Sequence, residues 1–547
     1  MGIFVDQVGY ETNEQKLIMS TQGGSFSLVD EKTNEVVCSK EAIFWGEDKL
    51  SRESVWKIDI SDVNKEGCYR LVSSDGEKSD LFEIGNKVYK NIQKDLSKAL
   101  YFQRCGCALE EKYAGIYTHK ACHTDDVIVF EDYINKVANP EKYSLKGGWH
   151  DAGDFGRYST AAAVAVGHIL YAYELFPESM QGELNIPETG NGIPDILNEC
   201  RYELDWLINM QKEDGGVYHK LTAYVHAPFI MPEEDHDQFL LYPVSSMAVA
   251  DYVAVMALAS RVYSKFDKEF SDKALKKARK SFEWLMTNDY IGFKNPAESR
   301  TGEYTDPCDD DERMWAYAEM LRTDLGDNTD KYRELLKKYA ISDIGKTDFG
   351  WTDVAGFAAM SVLTDEKHTA GKEIENIFKD AFDKEADRLI GLMDTNAYEL
   401  AMDENDFVWG SNMVLLNRCM ILCLAGIVSD DVDNKANYDK AIYEQMHYLL
   451  GRNALNRSYV TGYGEHAYKN PHNRPTAMDG IDDPMPGWVS GGPFKGFCDA
   501  DAVKILPKGT APMKCHADVV GSYSTNEITI YWNSPAIFVT AYLNQCI

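Results

Sequence analysis

Positive charge is scarce in this sequence of 547 residues: 56 Lys and Arg stand against 88 Asp and Glu, a formal net charge of −32. Nucleic acids and anionic membrane surfaces are recognised through basic patches, so the charge excludes both as partners. Long apolar runs are missing too. No stretch of roughly 18 consecutive apolar residues reads as a membrane span. The opening Met1-Gly2-Ile3-Phe4-Val5-Asp6 has no basic segment leading into an apolar one, which a secretion signal requires. Asp6 also stands where a myristoylation signal needs Ser or Thr. The expected location is cytoplasmic, or secreted if a leader has been trimmed away. Twelve cysteines are too few, over this length, for a disulfide-built scaffold. Cys200, Cys419 and Cys423 fall inside apolar helical patterns and read as buried thiols of a reduced compartment. No short repeat is visible.

What is present is ample core material, with 44% hydrophobic and 12% aromatic residues. The length predicts two domains, one of them large. Residues 1–86 read as β structure. Seven short apolar segments, Phe4–Val8, Lys16–Met19, Phe26–Val29, Val36–Cys38, Val55–Ile60, Cys68–Val72 and Leu81–Ile84, recur between turn-rich stretches. That spacing predicts a small antiparallel sandwich. Residues 87–547 read as helical, from Tyr89–Arg104 through Ser159–Leu175 and Ser411–Leu424 to Ser534–Leu543. About a dozen helices suggest helix pairs wound as a barrel or a solenoid, and periodicity does not choose between them. Long loops rich in Gly, Asp, Pro and aromatics separate the helices, and such loops usually carry function.

Three loops hold the chemistry. Gly147-Gly148-Trp149-His150-Asp151-Ala152-Gly153-Asp154 places two carboxylates three apart in a small-residue turn just before a helix. The small residues would let a substrate approach the backbone; the same spacing would also serve helix capping. Near the C-terminus, Glu527 follows Asn526 and precedes an apolar, aromatic run. A carboxyl in such company keeps its proton near neutral pH, as a general acid must. Hydrolysis of a glycoside needs one such acid and one ionised partner. The third loop, Gly462 to Pro475, sets His472 and Arg474 two apart, so in an extended stretch they face one side as donors for sugar hydroxyls.

Together these loops resemble the family 9 glycoside hydrolases. The Gly-Gly-Trp-His-Asp-Ala-Gly-Asp segment resembles that family's base loop, Ser458 to Arg474 its His/Arg signature, and Asp518 to Ser534 its acid signature. The N-terminal segment, opening Asp6-Gln7-Val8-Gly9-Tyr10, resembles the immunoglobulin-like module of one branch of the family. Two positions depart from the signatures, His466 and His516, and neither is a carboxylate position. The resemblance implies a multidomain protein, an immunoglobulin-like β-sandwich (1–86) followed by an (α/α)6 barrel (87–547). It implies an inverting hydrolase of β-1,4-glucosidic bonds in cellodextrins or soluble β-glucans. An exo-acting β-glucosidase or β-glucosaminidase of the same family is the alternative. Asp154 would activate water, Asp151 would help hold it and Glu527 would protonate the leaving oxygen. His472, Arg474, Trp315 and Tyr523 are the expected substrate contacts, although Trp315 reads equally well as core. No cofactor is needed for that chemistry, and the oligomeric state is open.

Metal-ligand types cluster twice. Cys105, Cys122 and His123 precede the base loop and suit a structural zinc, with His150 as the chosen fourth ligand and Cys107 its competitor. The resemblance strengthens zinc, since that branch often carries one here. Asp306, Asp309, Asp310 and Asp311 crowd one loop, as a calcium site would require, and Asp353 could add a ligand. Resembling relatives bind calcium near this position. The same crowding fits a solvated acidic helix start favoured by the helix dipole.

Overall fold

The computed structural model describes residues 2–545. The N-terminal part forms eight strands, β1 (Ile3–Phe4), β2 (Gly9–Glu11), β3 (Leu17–Ser20), β4 (Gly24–Asp30), β5 (Val36–Asp48), β6 (Glu53–Asp59), β7 (Gly67–Ser73) and β8 (Phe82–Gly85). They are ordered β1-β3-β6-β5-β4-β7-β8-β2. The expected Phe4–Val8 strand is instead two, β1 and β2, which pair with opposite ends of the array. The expected Val36–Cys38 strand runs on to Asp48, because β5 serves both halves of the sandwich. Its first half, to Ala42, pairs with β4 and its second, from Ile43, with β6, with a register shift at Trp45 within that second pairing. Alternate residues such as Ile18, Phe26, Leu28, Ile58, Leu71 and Ile84 fill the core between the halves.

The rest is a closed ring of helices. Six are buried on nearly every side: Ser159–Leu175, Ser246–Tyr263, Asp310–Thr323, Ala355–Leu363, Ser411–Val428 and Ile530–Gln545. Each contacts the next, and the last contacts the first. Six amphipathic helices, Lys90–Ala99, Asp195–Asn209, Lys268–Thr287, Thr329–Ala340, Lys372–Met393 and Val432–Leu449, pack outside them. An all-round apolar helix can only be an inner one, and an amphipathic helix suits the outer ring. Among the described residues Ser411–Val428 is long and apolar enough to cross a membrane, but it stands mostly buried inside this ring. The two-ring arrangement is an (α/α)6 barrel and settles the choice between barrel and solenoid.

Most returns from an inner to an outer helix are short, as at Tyr263 to Lys268 and Val428 to Val432. The six segments that lead from an outer helix into the N-terminus of an inner one are longer, and all of them reach the same end of the barrel. Four short strands brace that end: β9 (Ile128–Val129), β10 (Arg157–Tyr158), β11 (Lys220–Thr222) and β12 (Leu240–Leu241), in the order β10-β11-β12-β9.

Candidate active site

A cavity of about 700 Å³ opens at this end of the barrel, and each of the six segments contributes to its wall. The segment before Ser159 brings Asp151 and Asp154. The next brings His226, and the third Arg300 and Tyr304. Trp351 and Trp409 each stand just before an inner helix, and the last segment supplies His472, Arg474, Tyr523 and Glu527. All six N-terminal helix ends therefore aim their positive dipole ends at a cleft lined by four carboxyl groups, Asp151, Asp154, Glu303 and Glu527.

The loops carrying the carboxylates are joined through the main chain. Ile530 N–H donates to the Asp151 carbonyl at 2.8 Å, and Arg474 N–H to the Gly153 carbonyl at 3.0 Å. His472 N–H donates to Asn526 O at 2.9 Å. A Cβ on Gly153 would lie 1.9 Å from the His472 carbonyl oxygen, so only glycine fits there.

The carboxyl groups sit in contrasting surroundings. Burial pushes Asp154 up, but His226, the Arg474 guanidinium and the Gly156 N–H outweigh it and hold the carboxyl below its ordinary value. His226 Nδ1 stands 3.5 Å from Asp154 Oδ2, and Gly156 N–H donates to Oδ1 at 2.5 Å. Glu527 is driven well above the usual carboxylate range, first by burial and then by the charges of Asp154 and Asp151. Asp151 is raised by burial as well, against the donated hydrogen bond of the Tyr304 hydroxyl. Its other oxygen, Oδ1, is buried without a protein partner. The site therefore sets one carboxyl held low, Asp154, against two held high, Glu527 and Asp151, and the contrast of Asp154 with Glu527 is the one an acid–base pair requires.

His472 and Arg474 are both rigidly held. The His472 Nδ1–H donates to Val520 O at 2.6 Å, which leaves Nε2 for the cavity. Arg474 donates to Ala227 O and Gly153 O, each at 2.8 Å. Tyr523 lies on the rim beside the exposed Trp409, ring centroids 5.5 Å apart. Trp315 is a correction to the sequence reading. It is fully buried inside the barrel, stacked on Phe357 at 4.6 Å, and does not line the cavity. Its place is taken by Trp351, Trp409 and Trp532, which the sequence reading missed together with His226 and Tyr304. The one available signal was position, since Trp351 and Trp409 each fall just before an apolar helix. His466 is exposed and pairs with Asp80 of the β domain at 2.7 Å, whereas His516 is buried between Arg457 and Ser490.

Beside the base loop, Cys105, Cys122, His123 and His150 place their ligand atoms within 4.8 Å of one another. Cys107 stands outside the group, against Tyr202. His150 Nε2 lies 3.3 Å from His123 Nδ1, and Cys105 Sγ 3.6 Å from the same nitrogen. A zinc tetrahedron with bonds of about 2.3 Å to sulfur and about 2.05 Å to nitrogen has edges of about 3.3 Å between nitrogens and about 3.6 Å between nitrogen and sulfur. The Cys122 Sγ to His150 Nε2 edge is longer, at 4.0 Å. His123 Nε2 lies 3.2 Å from Asp235, the outer carboxylate that ligating histidines commonly carry.

The second acidic cluster is partly rearranged from expectation. Asp306 and Asp311 are buried next to Asp251, whose two carboxylate oxygens have no protein partner, and next to Glu312, whose carboxyl interacts with Asp311. Asp309 gives one oxygen to Arg313 at 2.9 Å, and Asp310 is half-buried at the first turn of its helix. Asp353 is close enough for the charge of Asp311 to help raise it to about 7, behind burial and Asp348. Asp251 and Glu312 lie within helical patterns and gave no signal of their own.

Residues 89–540 match the glycosyl hydrolase family 9, and residues 1–79 match the cellulase N-terminal ig-like domain. The chain is 40% identical over 552 residues to a cellodextrinase of Butyrivibrio fibrisolvens, covering 98% of each. It is 34% identical over 545 residues to endoglucanase D of Acetivibrio thermocellus, covering 98% of this chain and 83% of that protein. Among solved structures, a thermostable endoglucanase from Alicyclobacillus acidocaldarius superposes with a TM-score of 0.91 at 32% identity, covering 100% of this chain and 99% of that one. A Zn-binding triple mutant of a family 9 endoglucanase superposes at 0.90 with 28% identity, over 97% of this chain and 99% of that one. Family match, relatives and acid–base geometry agree, and the chain belongs to glycosyl hydrolase family 9.

Proposed function

We propose that this enzyme hydrolyses β-1,4-glucosidic bonds of cellodextrins and soluble β-glucans with inversion at the anomeric carbon. The observation that carries this reading is the opposed environment of two carboxyls on one cleft, Asp154 held below and Glu527 well above the ordinary carboxylate value. Asp154 takes a proton from water as that water attacks the anomeric carbon. The unpartnered Oδ1 of Asp151 helps to hold the same water. Glu527 donates its proton to the departing glycosidic oxygen. His472 Nε2, Arg474 and Tyr523 meet sugar hydroxyls, and Trp351 and Trp409 offer ring faces for the apolar faces of glucose units. The relative named a cellodextrinase favours short chains as substrate. Proton NMR of the first product from a β-linked cello-oligosaccharide tests the mechanism. The α-anomer should precede mutarotation, and an initial β-anomer would overturn the roles of Asp154 and Glu527.

We further propose that Cys105, Cys122, His123 and His150 hold a structural zinc. The His150–His123 edge of 3.3 Å and the Cys105–His123 edge of 3.6 Å match a zinc tetrahedron, and four protein donors leave no open position for water. The ion would fix the base loop through His150, the neighbour of Asp151, and would take no part in the chemistry. The buried, unpartnered oxygens of Asp251, with the buried carboxyls of Glu312, Asp306 and Asp311 beside them, fit a calcium ion.

A further inference from the structure

We infer that Lys220 is a positioning residue of the active site, which acts by fastening the loop that carries Tyr304. Lys220 lies on β11, is fully buried and points its ammonium group away from solvent. All three of its donors are satisfied by one loop: Asn295 Oδ1 at 2.6 Å, the Gly302 carbonyl at 2.7 Å and Thr301 Oγ1 at 2.9 Å. Each ammonium N–H of this buried lysine thus has an acceptor. The Tyr242 ring, 4.4 Å away, supports the charge from the other side. Burial draws the lysine down to about 7, while the carboxylates of Asp154 and Glu303 oppose that fall.

The fastened loop has no regular structure of its own to keep it in place. It closes on itself through Asn295, whose N–H donates to Glu303 Oε2 and whose side-chain amide donates to Thr301 O. Its flanks are tied to Ser246, Tyr224 and Tyr242, through Ile291, Arg300 and Ser299, and the stretch next to Tyr304 is held by the residues around β10 and β11. His219, the neighbour of Lys220, lies 2.9 Å from the Glu303 carbonyl and stacks on Phe293 at 3.9 Å. Tyr158 accepts the Gly302 N–H at 2.9 Å. What the loop delivers is Tyr304, whose hydroxyl donates to Asp151 Oδ2 and touches Tyr531 at 3.2 Å. Tyr304 sits at φ +47°, a left-handed conformation that an aromatic residue adopts only when its surroundings impose it. Lys220 grips the carbonyl two residues before that strained position. Without the grip, Tyr304 relaxes and Asp151 loses its oriented donor.

This inference rests on the proposed hydrolysis at the cleft. Its test is a double-mutant cycle of Lys220→Met and Tyr304→Phe, read as kcat and KM on cellotetraose. Lys220→Met should lower kcat by about 10- to 100-fold, the effect of a small misplacement of catalytic groups, and change KM much less. Combined with Tyr304→Phe, the loss should stay near that of the larger single change, because both remove the same contact. Multiplying losses, or an unchanged kcat in a folded Lys220→Met enzyme, would overturn the inference. Should Lys220→Met not fold, Asn295→Ala with Thr301→Val removes two acceptors from the loop side. That pair must then show the same kcat loss and the same non-additivity with Tyr304→Phe, or the inference fails. Glu527→Gln run in the same assay separates the two readings, since a loss there with none at Lys220 leaves the hydrolase reading standing.

Discussion

Replacing Glu527 by Gln removes one proton and almost nothing else. The amide has the shape of the acid, and the main chain around it stays fixed, with Gly491 N–H on the Glu527 carbonyl at 2.9 Å and His472 N–H on that of Asn526. The loss in turnover is therefore chemical. A positioned general acid contributes about 10²- to 10⁴-fold, or about 3–5 kcal/mol of barrier at 1.36 kcal/mol per decade. The full loss is expected on cellotetraose, whose leaving group needs the proton. On a dinitrophenyl cellobioside, whose leaving group departs as an anion, the loss should stay within about tenfold. The pH dependence follows the same logic. Asp154 is lowered and Glu527 raised, so wild-type activity on cellotetraose is flat across neutral pH and falls on the alkaline side as Glu527 ionises. On the aryl substrate that alkaline fall disappears. Stability carries a linked sign. A carboxyl raised on folding keeps its proton while the unfolded chain loses it, so its contribution declines as pH rises from the unfolded value through the folded one. Glu527→Gln lacks that decline, and its thermal midpoint should gain on wild type with rising pH. Equal losses on both substrates would refute the acid role, whatever the stability curve shows.

Two further outcomes follow from the site. Metal analysis of untagged protein should find one zinc per chain; Cys122→Ser should lose it and much of the thermal stability, whereas Cys107→Ser should keep both, and unchanged zinc in Cys122→Ser would return these thiols to the core. Trp409→Ala should raise KM for cello-oligosaccharides by about two- to tenfold with kcat little changed, as the loss of one exposed ring face predicts, and a fall in kcat alone would remove Trp409 from substrate binding.

The fold class and the polar residues that gather at one cavity were legible in the sequence, individual helices less so. Asp151, Asp154, Glu527, His472 and Arg474 were legible because each sits in a dense local pattern of glycine, carboxylate and aromatic residues. The four metal-ligand candidates were legible because cysteine and histidine in that density have few other uses. Ser159–Leu175 was read to its exact ends, since an apolar run with no polar face has one solution in a two-ring barrel. Thr329–Ala340 and Ala355–Leu363 do not appear among the helices expected from periodicity. Trp315 was misjudged. It follows an acidic loop, but the helix it belongs to is an inner one, where a tryptophan becomes core against Phe357 and Gly167. His226 and Tyr304 were invisible because their roles come from partners distant in sequence, which no local pattern encodes.

Main-chain hydrogen bonds brace the loops of Asp154 and Glu527, the proposed base and acid, against each other. The base loop and the acid loop come from opposite ends of the barrel domain, yet main-chain bonds from Ile530 to Asp151, from Arg474 to Gly153 and from His472 to Asn526 join them directly. The closest of these approaches requires a glycine at 153, where a side chain would overlap the His472 carbonyl. Inversion depends on a gap between carboxyls wide enough for water, roughly 6.5–9.5 Å, and main-chain bonds between the two loops are insensitive to which side chains line the cleft. The aromatic wall is built differently. Trp351 and Trp409 project from separate segments ahead of separate inner helices, and neither takes part in that main-chain staple. Substitutions among them can change which glucans fit while the acid and base keep their distance. One scaffold can thus serve substrates of different length without retuning its chemistry.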